Sequence, residues 1–467
     1  MSRRARWTLA IVSIALFMTT LDNLVVSTAL PSIRRSLGAS IESLEWTVNA
    51  YTLSFAVLLL TGAALGDRFG RRRMFVVGIA AFTASSAAAA LAPSTHALIA
   101  ARALQGAGAA LVLPLTLTLL SEAVDESKRG LALGIWSGVS GLGVALGPLV
   151  GGAVVSGISW EYIFWLNVPI GIVLLPLAAR RLDESFGPDR ALDLPGLALA
   201  GVGLLGVVFG IVRGPALGWS STTVVAALAA GVVLLGAFVA WELRAPAPML
   251  PMRFFRSRAF AATNGVSLAM FFGAFGSIFL LAQFFQTAQG YSPLEAGLRT
   301  LPWTAMPIFV APVAGVLSDR IGSRPLLVTG LALQSVAIAW LAIVSSPTVA
   351  YSSLVIPFVL AGSGMALVFA PAANEVLGAV RTAEAGKASG ATNAIRELGG
   401  VLGVAVLASV FSANGSVATP ATFSAGVTAA LPVGAAVLAA GALIALVVPA
   451  KRRREREAAA VPEPAAA

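Results

Sequence analysis

Long uncharged apolar runs are the feature that most restricts how this chain can fold. A helix needs about 20 apolar residues to cross a hydrocarbon core about 30 Å thick. About fourteen such runs follow one another, at approximately 7–30, 45–66, 73–93, 97–121, 129–154, 162–180, 194–213, 222–242, 259–286, 294–317, 325–345, 352–377, 388–412 and 426–449. We therefore predict an all-α integral membrane protein with fourteen transmembrane helices. A β-barrel would instead show alternating segments of about ten residues.

Composition excludes several other classes of protein. Only 11% of the 467 residues are charged, whereas a soluble domain carries about a quarter, so a water-facing surface could not be covered. The chain has no Cys and one His, His96. Disulfides, thiolate catalysis, Cys-ligated zinc and His-cluster metal sites are therefore excluded. We predict a protein that is not an enzyme and that needs no metal or cofactor.

The distribution of the basic residues predicts orientation. With the N-terminus in the cytoplasm, the inner segments hold about 25 Lys and Arg against 4 in the outer segments, as the positive-inside rule requires. This asymmetry needs an even number of spans and a cytoplasmic C-terminus. The first run is too long for a signal peptide and contains an acid, so we expect it to be retained. Abundant Arg, Ala and Gly suggest a bacterial cytoplasmic membrane.

The chain also repeats itself. Segment 62–72 reads GAALGDRFGRR and segment 315–324 reads GVLSDRIGSR. The matching pairs are Asp67 with Asp319, Arg68 with Arg320, Gly70 with Gly322 and Arg72 with Arg324. Both copies fall on the predicted cytoplasmic side, which indicates parallel repeats with a substrate site between them. We predict a six-helix bundle at 1–185, two linker helices at 186–250, a second six-helix bundle at 251–450 and a disordered cytoplasmic tail at 451–467.

Two charges lie within predicted spans of the first half. Asp22 occurs in LDNLVVSTALP (21–31) and Arg102 in RALQGAGAA (102–110). Both fall in the outer half of the membrane, so they are plausible partners in space. An intramembrane acid is expensive and usually functional, which makes Asp22 a candidate for proton coupling. The alternative is a structural acid held by local donors, with Arg102 as its permanent tether.

The fifth span carries a stripe of small residues. Segment 141–152 reads GLGVALGPLVGG, with Gly143, Gly147 and Gly151 four residues apart and followed by Gly152. A smooth stripe lets another helix approach closely. Pro148 lacks an amide donor, so a bend is expected there. The residues alone indicate tight packing and no direction of transport.

Taken together, these motifs resemble those of the major facilitator superfamily, in particular its fourteen-span drug:proton antiporters. A fifth motif, WEYIFWLNVPIG at 160–171, is similar to a segment typical of that branch. The resemblance implies proton-coupled drug or antibiotic efflux by alternating access, with Arg102 taking part in proton coupling. It also implies that 141–152 marks exporters and that the two Asp-Arg segments act as a conformational latch. Ala63 departs from the family's Gly, which puts close helix approach in the first half in question.

Other side chains are candidates for a substrate cavity. These are Gln105, Phe272, Phe275 and Glu397. Aromatic walls suit flat lipophilic cations or neutral drugs. Spans nine to eleven hold no central acid, which favours a monovalent, neutral or zwitterionic substrate. The adjacent Arg396 points about 100° away from Glu397 on a helix, so the two do not face each other. Glu397 could be protonatable, or it could form an ion pair at the cytoplasmic end.

Two other functions remain open at this point. An importer or facilitator of a metabolite could use the same fold, and its flux would not depend on a pH gradient. A receptor that binds without transport usually needs a soluble output domain, and no loop exceeds roughly 20 residues. The expected partners are protons, a small lipophilic substrate and the bilayer, without nucleic acid or an obligate protein.

Overall fold

A computed structural model describes residues 2–124, 126–186, 192–380 and 385–450, and within these ranges the chain is helical, without strands. The helices are α1 Arg3–Leu37, α2 Ile41–Phe69, α3 Arg71–Ala90, α4 Thr95–Ala123, α5 Glu126–Gly157, α6 Tyr162–Trp165, α7 Asn167–Arg181, α8 Leu194–Leu217, α9 Thr222–Glu242, α10 Arg258–Thr287, α11 Pro293–Thr304, α12 Met306–Ile321, α13 Ser323–Val344, α14 Ser352–Gly378, α15 Ala385–Asn414 and α16 Pro420–Ala445. A 3-10 turn, Met252–Arg256, precedes α10. The predicted tail at 451–467 lies outside the described residues.

The fourteen predicted spans all fall on helices. Twelve helical segments in the described chain are each long and apolar enough to cross a membrane, and α2, bent by 51°, makes a thirteenth. The sixth and tenth runs are each built from two consecutive helices, α6 with α7 and α11 with α12. The remaining run lies in α5, which continues as one helix across Pro148. The protein is therefore an all-α, multi-pass membrane protein.

The first helix is longer than its apolar run. We predicted a span at 7–30, but α1 continues through Pro31 and includes Arg34 and Arg35. It ends at Gly38, whose φ of 62° gives a left-handed cap. The helix therefore projects beyond the apolar run, because backbone hydrogen bonding does not stop where hydrophobicity does.

The same close contacts occur in the first seven helices (α1–α7, the first set) and in the last seven (α10–α16, the second set). A Cβ on Gly106 of α4 would meet the Tyr51 carbonyl of α2, and a Cβ on Gly362 of α14 would meet the Trp303 carbonyl of α11. Two further matching contacts are Gly143–Thr20 with Gly399–Leu268, and Gly147–Leu24 with Gly403–Phe272. This recurrence agrees with two repeats. The exact domain boundaries stay a prediction.

The two sets are joined unevenly. We call the end of the bundle that carries Arg3 and the α2–α3 turn the basic end. Residues of the first set near the opposite end share one large apolar cluster with the second set, whereas those near the basic end form a cluster of their own. Helix α8 packs on Leu53 of α2 and on Val401 of α15. The two sets therefore contact each other mainly at the end opposite the basic end.

Candidate functional site

The acid of the first span and the arginine of the fourth meet inside the first set. Asp22 on α1 and Arg102 on α4 are each 1% exposed. Arg102 Nη1 donates to Asp22 Oδ2 at 2.5 Å. The depth of each residue in its span predicts this proximity, and the structure brings the two into direct contact. A charge pair removed from water is tolerated well only when its remaining donors and acceptors are also satisfied.

Three further side chains provide those hydrogen bonds. Gln105 Nε2 donates to Asp22 Oδ1 at 2.8 Å, and Gln105 Oε1 accepts from Arg102 Nη1 at 2.7 Å. Asn167 Nδ2 donates to the same Asp22 Oδ1 at 2.7 Å. Ser86 Oγ accepts from both amides, at 3.2 and 3.0 Å. Both oxygens of the carboxylate are therefore engaged.

Aromatic rings enclose the guanidinium. The Arg102 Cζ lies 4.2 Å from the ring centroid of Tyr51 and 5.7 Å from that of Phe164. Arg102 Nε donates to the Thr47 carbonyl at 3.4 Å, and Ser86 Oγ donates to the Phe164 carbonyl at 2.9 Å. The site is closed to water in this conformation. A proton placed on Asp22 would remove the charge that holds Arg102.

Sequence reasoning missed part of this network. Asn167 lies in the aromatic segment 160–171, which we predicted to be a family signature without chemistry. Ser86 lies in an Ala-rich stretch and Tyr51 in an apolar run, so neither stands out in sequence. Gln105, a candidate cavity residue, is fully buried in the network instead of lying on an open wall. A buried Asn among apolar residues was the only available signal.

The glycine stripe of α5 faces α1. Cβ atoms on Gly143, Gly147 and Gly151 would meet Thr20, Leu24 and Thr28, respectively. Gly152 and Pro148 belong to a different contact, with α11 of the second set. A Cβ on Gly152 would meet the Pro293 carbonyl, and the Pro148 carbonyl contacts Gly297. The segment therefore joins α1 on one side and the second set on the other.

The first Asp-Arg segment ties together helices of the first set at the basic end. Asp67 Oδ1 accepts from Arg71 Nε at 2.8 Å and lies 2.7 Å from its Nη2, and Arg71 also pairs with Glu122 of α4. Arg72 donates its backbone N–H to Glu184 Oε1 at 2.9 Å. Sequence reasoning did not identify Glu122 and Glu184, because nothing in their spacing connects them to the motif.

Both copies turn at a glycine in the left-handed region. Gly70 has φ 106° and Gly322 has φ 87°, a conformation that side chains rarely adopt. A Cβ on Gly70 would also lie 2.7 Å from the Glu184 carboxyl group. The Arg68 Cζ lies 5.2 Å from the centroid of the Phe69 ring. The glycines therefore fix both turns, as the repeat predicts.

The second copy has a different set of described contacts. Ser318 and Ser323 are joined by a hydrogen bond of 2.9 Å between their hydroxyls. Arg320 is exposed and Arg324 is partly buried. The side chain of Asp319 lies outside the part of the chain that the structure describes. The latch role of these residues stays a prediction.

The other candidate cavity residues lie in the second set. Phe272 is 7% exposed and packs between helices, whereas Phe275 is partly accessible and stacks on Phe271 at 5.2 Å. Arg396 and Glu397 are deep in the bundle but keep some accessible surface. Arg396 Nε and Nη2 have no acceptor, and no ion pair with Glu397 is formed in the described chain. Arg396 and Glu397 therefore do not face each other, as expected for neighbouring helix positions about 100° apart, and a role for Glu397 stays a prediction.

Sequence comparisons place the chain among bacterial export proteins. It is 36% identical to the multidrug resistance protein Stp of Mycobacterium tuberculosis over 88% of this chain and 77% of that one. It is 35% identical to the tetracenomycin C resistance and export protein of Streptomyces glaucescens, over 86% and 74%. With the cephamycin export protein CmcT of Amycolatopsis lactamdurans the identity is 38%, over 87% and 84%.

Solved structures and a family model agree on the fold. A peptide transporter POT in complex with sulfate has a TM-score of 0.71 at 16% identity, over 94% of each chain. The human organic anion transporter MFSD10 has a TM-score of 0.64 at 16% identity, over 95% of this chain and 100% of that one. The family model of the Major Facilitator Superfamily matches residues 12–404. The chain belongs to the major facilitator superfamily of membrane transporters.

Proposed function

We propose that the protein exports small, lipophilic drugs or antibiotics across a bacterial cell membrane, driven by proton entry. The names of its relatives, which include multidrug resistance and antibiotic export proteins, support this substrate class. The observation that carries the proton part is the enclosed Asp22–Arg102 pair. A carboxylate inside a bilayer is energetically costly, and such residues are usually retained because they have a function.

The proposed cycle uses the charge of Asp22 as its switch. With the transporter open to the outside, Asp22 takes a proton and Arg102 loses its counter-ion. The hydrogen bonds of Gln105 and Asn167 then rearrange, which favours the change of conformation. With the transporter open to the inside, the proton leaves, the ion pair forms again and a new substrate binds.

The membrane potential alone supplies useful energy for this exchange. A potential of 100 mV provides about 2.3 kcal/mol per charge. Since about 1.4 kcal/mol corresponds to a factor of ten, one proton sustains roughly a 50-fold substrate gradient. The proposal needs no nucleotide, cofactor or covalent chemistry. It places the basic end and both termini in the cytoplasm, where the Lys and Arg excess favours them.

Purified protein in lipid vesicles tests the coupling. With an imposed pH gradient, we expect wild-type protein to accumulate ethidium and Asp22→Asn, which keeps the shape but not the titratable charge, to lose this accumulation. Asp183→Asn is a matched control, because Asp183 is about half exposed at the basic end and pairs with Arg4. Gradient-driven uptake by Asp22→Asn at the wild-type rate would remove Asp22 from the mechanism. Wild-type flux that ignores the gradient would indicate a facilitator.

A further inference from the structure

The interior arginine of the second set lacks the acceptors that Arg102 has. Arg396 on α15 donates through Nη1 to Asn393 Oδ1 at 3.4 Å. Its Nε and Nη2 are enclosed and have no acceptor among the described residues. In contrast, Arg102 reaches a carboxylate, an amide oxygen and a carbonyl. An enclosed cation whose donors are not satisfied is unfavourable, so an anionic group from outside the bundle would stabilise Arg396.

The free edge of Arg396 specifies the shape of that group. Nε and Nη2 form one side of the planar guanidinium, and their N–H bonds point in the same direction. This edge matches the two oxygens of a carboxylate in a bidentate pair. Asn393 occupies the other side of the guanidinium and so helps to fix its orientation.

Two rings lie near the guanidinium, and a third stacks on one of them. The Arg396 Cζ lies 5.5 Å from the ring centroid of Phe369 and 6.0 Å from that of Phe271. Phe275 stacks on Phe271, with centroids 5.2 Å apart and planes 9° apart. Phe275 and Arg396 both keep partly accessible surface, so a ligand can approach them with a side-chain rotation. Parallel rings next to a guanidinium suit a flat aromatic body.

The neighbouring acid does not occupy the guanidinium. Glu397 points elsewhere around α15, and its Oε2 has no donor. It interacts with Arg396 through its charge, without a hydrogen bond to the Nε–Nη2 edge. That edge is therefore not occupied by Glu397.

We infer that Arg396, oriented by Asn393 and flanked by Phe271, Phe275 and Phe369, binds the carboxylate of planar aromatic acids. Transport of such acids rests on the proposed function, but their binding does not. The aromatic residues alone suggest cationic or neutral ligands. The guanidinium of Arg396 is itself a cation that lacks acceptors, so the ligand that it favours is an anion.

Equilibrium binding to the purified full chain tests this assignment. The probes are 9-anthracenecarboxylate and 9-anthracenecarboxamide, which share the ring and differ in charge, with ring fluorescence as the readout. We expect wild type to bind the carboxylate about tenfold more tightly than the amide, since charge-assisted hydrogen bonds are the strong ones. Arg396→Gln should bring the two affinities close to equal. Arg396→Lys, which keeps the charge but not the fork, should lie between.

The controls separate a folding defect from a lost contact. Amide binding should be unchanged in the Arg396 variants, which shows that the ring site is intact. Arg299→Lys is a matched control, because Arg299 also lies over rings, those of Tyr291 and Tyr351, at the opposite end. Equal affinity of wild type for both probes, no binding of either, or a full preference in Arg396→Gln would overturn the inference. Since no proton gradient is used, loss of coupled ethidium uptake would count against the proposed function alone.

Discussion

Arg102 and Tyr51 have counterparts in the second set, and these counterparts are Phe358 and Trp303. The recurring glycine contacts define this correspondence. Phe358 and Trp303 are buried, with ring centroids 6.0 Å apart. An aromatic pair thus stands where the first set has a cation on a ring. The place of Asp22 is likewise taken by an apolar side chain, so the structure describes no counterpart of the enclosed charge pair at these positions of the second set.

The ring of Tyr51, more than its hydroxyl, should hold Arg102 in place. The guanidinium lies 4.2 Å from the ring centroid, whereas the hydroxyl only reaches the Thr19 carbonyl at 3.5 Å. We expect Tyr51→Leu to lower gradient-driven ethidium uptake about 25-fold, because a desolvated cation–π contact is worth about 2 kcal/mol. Tyr51→Phe, the control, should stay near the wild-type rate. A loss in Tyr51→Phe as large as that in Tyr51→Leu would assign the role to the hydroxyl.

At the scale of single residues, the sequence predicts the contacts of buried charged side chains better than those of buried amide side chains. Asp22 and Arg102 could be paired because a charge inside an apolar run is rare and its depth can be counted. Asn167 and Ser86 could not be placed beside them, since their positions depend on how α3 and α7 pack against α1. The free edge of Arg396 was equally unpredictable, because a missing partner is visible only in three dimensions.

At the scale of helices, the close approach of α2 to α4 depends on Gly62. Ala63 raised doubt about this approach, but a Cβ on Gly62 would meet the Ala110 carbonyl of α4. In the second copy, a Cβ on Gly315 would lie 3.9 Å from the Cβ of Ala370, which is ordinary contact. Of these two glycines, only Gly62 therefore lies at a tight helix contact. The residue at position 63, where the family usually has Gly, therefore gives no information about how closely α2 and α4 approach.

Matched substitutions distinguish these two glycines. We expect Gly62→Ala to lower the free energy of unfolding by about 1–3 kcal/mol, because the added methyl group overpacks the crossing. Gly315→Ala should be neutral or slightly stabilising, since Ala is the better helix former. The measurement is denaturant unfolding of the purified protein in detergent. Equal destabilisation by both changes would mean that the crossing of α2 and α4 is looser than the structure has it.

Sequence predicts where helices exist more accurately than how they are divided. The fourteen apolar runs all lie on helices, and twelve, or thirteen with the bent α2, have the length and hydropathy of a span in the described chain. The break between α11 and α12 falls at Ala305, inside one apolar run. Hydropathy does not register it, because no charged residue lies near the break. The extension of α1 to Leu37 was missed for the opposite reason, since charged residues continue a helix outside the hydrocarbon.

At the scale of the whole molecule, the two sets contact each other mainly at the end opposite the basic end. Gln286 of α10 donates to the Thr28 carbonyl of α1 at 2.8 Å. The Leu294 N–H of α11 donates to Ser156 Oγ of α5 at 2.9 Å. Alternating access requires such contacts to break when the other side of the transporter opens. This contact therefore has the properties of a gate that is closed in this conformation and that, in the orientation proposed above, faces the outside.

A reversible cross-link across this contact should stop transport. The chain has no Cys, so the double variant Ser156→Cys/Leu294→Cys has a single possible internal disulfide. The side chain at 156 already reaches the backbone at 294, which is consistent with the separation that a disulfide needs. We expect oxidation to abolish gradient-driven ethidium uptake and reductant to restore it, while Ser156→Cys alone responds to neither treatment. If the oxidised double variant transports at its reduced rate, these two helices stay together throughout the cycle, and the gate must lie elsewhere.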